Sequence, residues 1–106
     1  MLERTYQAQL IKKLRRRFPG CVIEKGDANY QQGALDLTMY WGHHWAKLEV
    51  KAYEGAPERP NQAYFVKLFN SMSFAAFIHP DNEEEILDAI QHAFEVCGDT
   101  RIPQRQ

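Results

Sequence analysis

The chain has 106 residues, with 13 Lys and Arg against 14 Asp and Glu and a formal net charge of −1. That length fits one domain, and the near-neutral balance excludes a histone-like coating protein, whose domain would be strongly basic. A hydrophobic share of 44%, with two Trp, five Tyr and six Phe, suffices for a core and excludes disorder by composition. No apolar run approaches the roughly 18–20 residues of a membrane span, and no N-terminal apolar core reads as a signal peptide. The expectation is a cytoplasmic protein with no membrane partner and no organic cofactor. Cys21 and Cys97 form no CxxC and read as reduced thiols. The charge balance still leaves room for nucleic-acid binding through one local patch.

Taken in chain order, Leu2, Tyr6, Leu10, Leu14 and Phe18 recur every four residues, with Ile11 widening the stripe, and predict a helix over 2–18. Pro19-Gly20 stops it. Cys21-Val22-Ile23 is a short β-prone run, and Glu24 to Gly33 is polar, without periodicity, and reads as an irregular loop. Leu35, Leu37 and Met39, then Leu48, Val50 and Ala52, alternate as strand residues do. Gly42 between these runs suits the first position of a type II′ hairpin turn, before His43. Tyr53 to Pro60 reads as a loop. A second helix is expected over Asn61–Met72, burying Tyr64, Phe65, Leu68, Phe69 and Met72. Phe74–Ile78 reads as a buried strand. Asp81 with Glu84 three residues on suggests a capping box before Ile86, Leu87, Ile90, Ala93 and Phe94. The expected domain covers residues 1–97, with 98–106 as a C-terminal tail. The order α-β-β-β-α-β-α makes a small α/β sandwich, with helices over a mixed sheet.

The hairpin gathers chemistry. A turn centred between Gly42 and His43 puts Asp36 directly opposite Glu49, on the face away from Leu35, Leu37 and Met39. Lys51 shares the face of Glu49, because residues two apart on a strand point the same way. Two carboxylates opposed across a ladder repel, and a hard divalent cation removes that penalty. Lys51 beside them would orient or deprotonate an attacking water, or stabilise developing negative charge. Activated water, clamped phosphate and compensated charge are what phosphodiester hydrolysis requires. The spacing Asp-x12-Glu-x-Lys is permissive by itself, and Glu-x-Lys on a solvent-facing strand is ordinary. The flanking apolar residues place the trio at the surface of a buried sheet.

With Gly33-Ala34-Leu35-Asp36-Leu37, Leu48-Glu49-Val50-Lys51-Ala52, Asn61-Gln62 and an early Glu3, the sequence resembles the PD-(D/E)xK nuclease superfamily. Within it the likeness is to the small VRR-NUC and Holliday-junction-resolvase-like group, which implies a phage or prophage source. The resemblance spans about residues 2–92. It departs from the pattern at Ala34, where the usual proline shapes backbone and is no ligand. It implies a restriction-endonuclease-like core and metal-dependent hydrolysis of DNA. It further implies Mg²⁺ or Mn²⁺ held by Asp36, Glu49 and the Val50 carbonyl, with Glu3 as an additional acidic ligand. Lys51 would assist the water, and Gln62 would support the site. Glu3 also suits the first turn of a helix as a carboxylate facing the macrodipole, and Gln62 also suits a helix start.

Lys12, Lys13, Arg15, Arg16 and Arg17 form the only dense basic run. They read equally as a solvated helix face or as a track for DNA phosphates. Lys25, Arg59 and Lys67 would flank the site and add phosphate contacts. Glu83-Glu84-Glu85 is explained by capping and the helix dipole, and His43-His44 is a poor chelate because neighbours on a strand face opposite ways. Tyr40, on the polar face, could stack on a base. The expected function is a structure-selective DNA endonuclease acting on branched DNA or Holliday junctions, working as a homodimer that presents two sites to two strands. One alternative is a catalytically silent nucleic-acid-binding or assembly subunit of the same fold. Another is an interaction module using an exposed aromatic hairpin tip at Tyr40, Trp41 and Trp45.

Overall fold

The computed structural model describes residues 1–27 and 34–98, with side chains through residue 95. The elements are α1 (Glu3–Arg17), β1 (Val22–Lys25), β2 (Leu37–Trp41), β3 (His44–Val50), α2 (Gln62–Met72), β4 (Phe74–Ile78) and α3 (Glu83–Gly98). This is the expected order. The sheet runs β1-β2-β3-β4, with β1, β2 and β3 antiparallel and β4 parallel to β3, so it is mixed. No helix among the described residues is long and apolar enough to cross a membrane.

Two layers of helix follow from the period-two alternation of the strands. Leu37, Met39, Ala46, Leu48, Val50 and Ile78 form one core with Tyr6, Leu10, Leu14 and Phe18 of the α1 side and Leu87, Ile90 and Phe94 of α3. α1 and α3 therefore cover one face. α2 covers the other, over β3 and β4, where Trp45 meets Phe69 edge-on with ring centroids 6.3 Å apart. The hairpin register is the expected one, with Leu37 opposite Leu48 and Trp41 opposite His44. Gly42 has φ +66°, and His43 is not in the left-handed region, as a type II′ turn requires.

Several boundaries differ from expectation. Glu24 and Lys25 belong to β1, opposite Thr38 and Leu37, because the exposed edge of the sheet tolerates charge. The remainder of that expected loop, 28–33, lies outside the described residues. α3 begins at Glu83, so Asn82, not Asp81, immediately precedes it. The Asn82 side chain faces back along the chain, accepting from His79 N–H at 2.8 Å and donating to the Phe77 carbonyl at 3.1 Å. The expected capping box is therefore not formed. Gly98 is helical rather than the start of a tail, and 99–106 lie outside the described residues.

Tyr64 and Met72, expected to be buried, are each 62% exposed, Phe65, Leu68 and Phe69 are only half-buried, and the buried side chain of α2 is Gln62. The α2 layer is one helix wide, so half of its apolar girth has nothing to pack on. Trp41 packs against Phe18 and Phe94 and donates its indole N–H to the Pro19 carbonyl. With Trp45 under Phe69, the expected aromatic hairpin tip is reduced to Tyr40, whose hydroxyl donates to Glu24 at 3.0 Å. Burial and that carboxylate push the Tyr40 phenol up from its ordinary value. Cys21 is a free, half-buried thiol whose pKa burial raises. The Cys97 side chain lies outside the described residues.

Glu83 is not an ordinary dipole-facing acid. It is buried and accepts the Tyr6 hydroxyl at 2.9 Å and the Lys13 ammonium at 2.7 Å, tying α1 to the start of α3. Burial and this carboxylate push the Tyr6 phenol strongly upward.

Candidate active site

The site lies at the C-terminal end of β3, on the α2 face of the sheet. Leu48 and Val50 point into the α1–α3 core, so the pleat turns Glu49 and Lys51 the other way. Asp36 sits just before β2, opposite Glu49. There the ladder continues through side chains: Asp36 N–H donates to Glu49 Oε1 at 3.2 Å, and Val50 N–H donates to Asp36 Oδ2 at 2.8 Å. Each carboxylate is thus pinned by the other strand's backbone. The expected juxtaposition of Asp36, Glu49 and Lys51 is present.

Its depth differs from expectation. Glu49 is 1% and Lys51 7% exposed, so these are buried charges rather than residues of a solvated strand. The segment 52–61 and the first turn of α2 cover them, and Gln62 is the hub. Its Oε1 accepts Lys51 Nζ at 3.0 Å and Arg59 N–H at 2.7 Å, and its Nε2 donates to Glu49 Oε2. Asn61, at φ +69°, turns the chain so that Gln62 enters the helix facing inward; Asn tolerates that left-handed region better than most residues. Lys51 Nζ also donates to the Pro57 carbonyl at 2.9 Å and stands 3.8 Å from Glu49 Oε2. Arg59 Nη2 lies 3.3 Å from the same oxygen.

Burial pushes the Glu49 carboxyl up to about 7, and the neighbouring Asp36 charge adds to the rise. Arg59, Lys51 and the Asp36 N–H oppose it. A buried carboxylate pressed against a second one fits a hard divalent cation, which takes carboxylate oxygens. Asp36, Glu49 and the Val50 carbonyl are the groups that would hold one. Among the described residues no group of three or more His, Cys, Asp or Glu is gathered as a metal cluster. Glu3 is exposed in the first turn of α1.

Gly26 positions this end of β2. Its N–H donates to the Asp36 carbonyl at 2.9 Å, and a Cβ there would stand 1.9 Å from the Leu35 carbonyl oxygen. Backbone cannot retreat from such an overlap cheaply. Gly26→Ala is expected to destabilise the protein by about 2–4 kcal/mol in urea unfolding, within the range of severe steric and backbone effects. An Ala variant as stable as the parent would contradict this packing.

The basic residues divide. Lys13 is tied to Glu83, and Arg17 to Asp88, Glu84 and Gln91, so both secure α1 to α3. Lys12, Arg15 and Arg16 are exposed. The whole run rides on α1, and the sheet therefore stands between it and Glu49. Lys25 is exposed opposite Leu37, one position from Asp36, and Lys67 is exposed on α2. Arg59 goes further than expected, since it contacts the carboxylate itself. Sequence reasoning missed that contact and the Tyr6–Glu83 bond. The second had a signal: a tyrosine on an apolar helix stripe needs a partner for its hydroxyl, and Glu83 precedes Leu87, Ile90 and Phe94 on one helix face.

The chain matches no family model, no curated protein and no solved structure at the level that would identify a relative.

Proposed function

We propose that the protein is a metal-dependent DNA endonuclease of PD-(D/E)xK type with a restriction-endonuclease-like core, selective for branched DNA and acting in the cytoplasm as a homodimer. The observation that carries the reading is the Asp36–Glu49 clasp with Lys51 buried beside it. These are two opposed carboxylates and a cation, each held by backbone or by Gln62 rather than by solvent. Positioning of this kind is what phosphodiester hydrolysis draws on, because preformed charges need not reorganise as the transition state forms.

Mg²⁺ or Mn²⁺, when bound, would lower the pKa of a coordinated water and offset phosphate charge. The chain's own groups divide the remaining work. Asp36 and Glu49 fix the oxygen donors at the end of the sheet. Lys51 gives two N–H bonds to the Pro57 and Gln62 oxygens, leaving its third for a phosphoryl oxygen. That donor use favours charge stabilisation over proton abstraction. Gln62 is a positioning residue, holding Glu49 and Lys51 in one geometry.

The test is cleavage of labelled single-strand, duplex, flap and four-way-junction DNA with Mg²⁺ or Mn²⁺ against EDTA. Metal-dependent cutting is expected, falling by about 100-fold or more in Glu49→Ala and in Lys51→Ala. Paired symmetric nicks at the junction are expected from two sites acting on two strands. The competing reading, a silent binding or assembly subunit, is favoured by one observation: both Glu49 oxygens are already engaged by protein donors. Binding of DNA without cutting of any substrate would establish it and sink the nuclease.

A further inference from the structure

Arg59 differs from the other side chains on Glu49 Oε2 in being largely open to solvent. Its side chain is 52% exposed, against 2% for the Glu49 side chain it touches. Lys51 and Gln62, the other partners of Glu49 Oε2, are buried and fixed by further hydrogen bonds. The Arg59 backbone is fixed too, its N–H donating to Gln62 Oε1 at 2.7 Å. The guanidinium is thus a long arm on a held pivot, with its tip resting on the carboxylate at the mouth of the site.

Charge explains the resting position. Asp36 and Glu49 crowd two negative groups at the end of β2 and β3, and a cation there relieves them. A divalent cation shared by the same two carboxylates would supply that relief more fully, and it would repel a guanidinium 3.3 Å from Glu49 Oε2. Lys51 cannot yield, because the Pro57 carbonyl and Gln62 hold it in place. Arg59 can, because only its tip must move.

We propose that Arg59 is a resident counter-cation of Glu49 that leaves the carboxylate when a divalent cation binds, and so presents its guanidinium to a phosphoryl oxygen of the substrate. This rests on the metal-dependent reading above. Guanidinium suits the second task, since its fork of N–H groups binds phosphate oxygens in pairs. Occupation by the metal and the Arg59–Glu49 contact then oppose each other, and thermodynamic linkage makes the opposition reciprocal. An arginine that merely added positive charge nearby would weaken metal binding yet keep its place on Glu49.

The experiment needs no DNA and no turnover. Mn²⁺ binding, read from the free-ion electron paramagnetic signal, is measured for the parent, Arg59→Gln and Glu49→Gln, with melting curves alongside to confirm folding. In parallel the Arg59 Nε–Hε resonance, assigned by its loss in Arg59→Gln, is followed through a Mg²⁺ titration of the parent. Arg59→Gln is expected to bind Mn²⁺ at least about fivefold more tightly, the lower end of coupling between linked sites. The Nε–Hε resonance is expected to move with the midpoint of Mg²⁺ binding. Unchanged or weaker Mn²⁺ binding in Arg59→Gln, or a resonance that stays still as the metal saturates, overturns the displacement. If Glu49→Gln abolishes Mn²⁺ binding in that case, the metal site itself stands. Mn²⁺ binding that Glu49→Gln leaves intact overturns the metal reading and the displacement together.

Discussion

Glu49→Gln is expected to flatten the pH dependence of stability between about pH 4.5 and 7 in metal-free buffer. The Glu49 carboxyl has an ordinary value of 4.5 and is raised to about 7 by burial and by Asp36. Between those values the folded state holds a proton that the unfolded chain releases. The folded state is therefore favoured most below about pH 4.5, and this contribution is lost as the pH climbs through about 7. A rise of that size is on the order of a few kcal/mol across the window. Urea unfolding at pH 5 and pH 8 measures the difference. The parent should lose stability over this interval and Glu49→Gln should not, whatever the variant's absolute stability. On the metal-dependent reading, Mg²⁺ at pH 8 should raise the parent's melting temperature and leave the variant's unchanged, since binding to the folded state alone stabilises it. Equal slopes in both proteins would show that Glu49 ionises as freely folded as unfolded.

The second large effect is expected at Gln62. Replacing it with Ala removes one acceptor from Lys51 Nζ, one from Arg59 N–H, and one donor from Glu49 Oε2, all at one point. Two of those partners are buried charges, and stranding them costs about 2–4 kcal/mol in unfolding free energy. On the nuclease reading proposed above, cleavage at saturating metal should fall by about 10-fold or more, because Lys51 and Glu49 lose their common support. Gln62→Glu separates support from bulk. It keeps an oxygen for Lys51 and the Arg59 N–H but sets a second carboxylate against Glu49 Oε2. That variant should be far less stable than the parent at pH 8 and recover much of the difference at pH 5, where a shared proton restores a donor. Recovery in Gln62→Ala as well would mean the hydrogen bonds of Gln62 are not what holds the site.

The strands and the pairing of Asp36 with Glu49 were legible because the β-period is two and the turn residue Gly42 sets the register. Once Leu37 faces Leu48, the identity of every other pair on the hairpin follows. Lys51 was legible for the same reason, as the next residue on the face of Glu49. What alternation does not carry is depth. Glu49 and Lys51 are covered by the segment 52–61, whose path no periodicity describes, and so their burial and the Arg59 contact were hidden. The apolar face of α2 was misjudged in the opposite sense. Its pattern predicted burial for Tyr64 and Met72, but a sequence pattern states a preference, and only packing neighbours decide whether it is met. Glu83 was hidden among three consecutive acids, two of which do sit exposed. The basic run of α1 was read correctly as a helix face, yet the side of the sheet it occupies depends on how the chain crosses between layers, which is tertiary information.

β3 has one further consequence. Its seven residues supply Ala46, Leu48 and Val50 to the core on one face and carry Glu49 on the other, so a single backbone serves two masters. Selection for a tighter core and selection for altered chemistry draw on the same short segment, and a change that suits one is transmitted through the peptide plane to the other. The covering segment 52–61 gives no residue to that core. Evolutionary drift at this end of the sheet is therefore channelled toward that segment, where Arg59 is exposed, while the strand beneath is held constant by the core it must also fill.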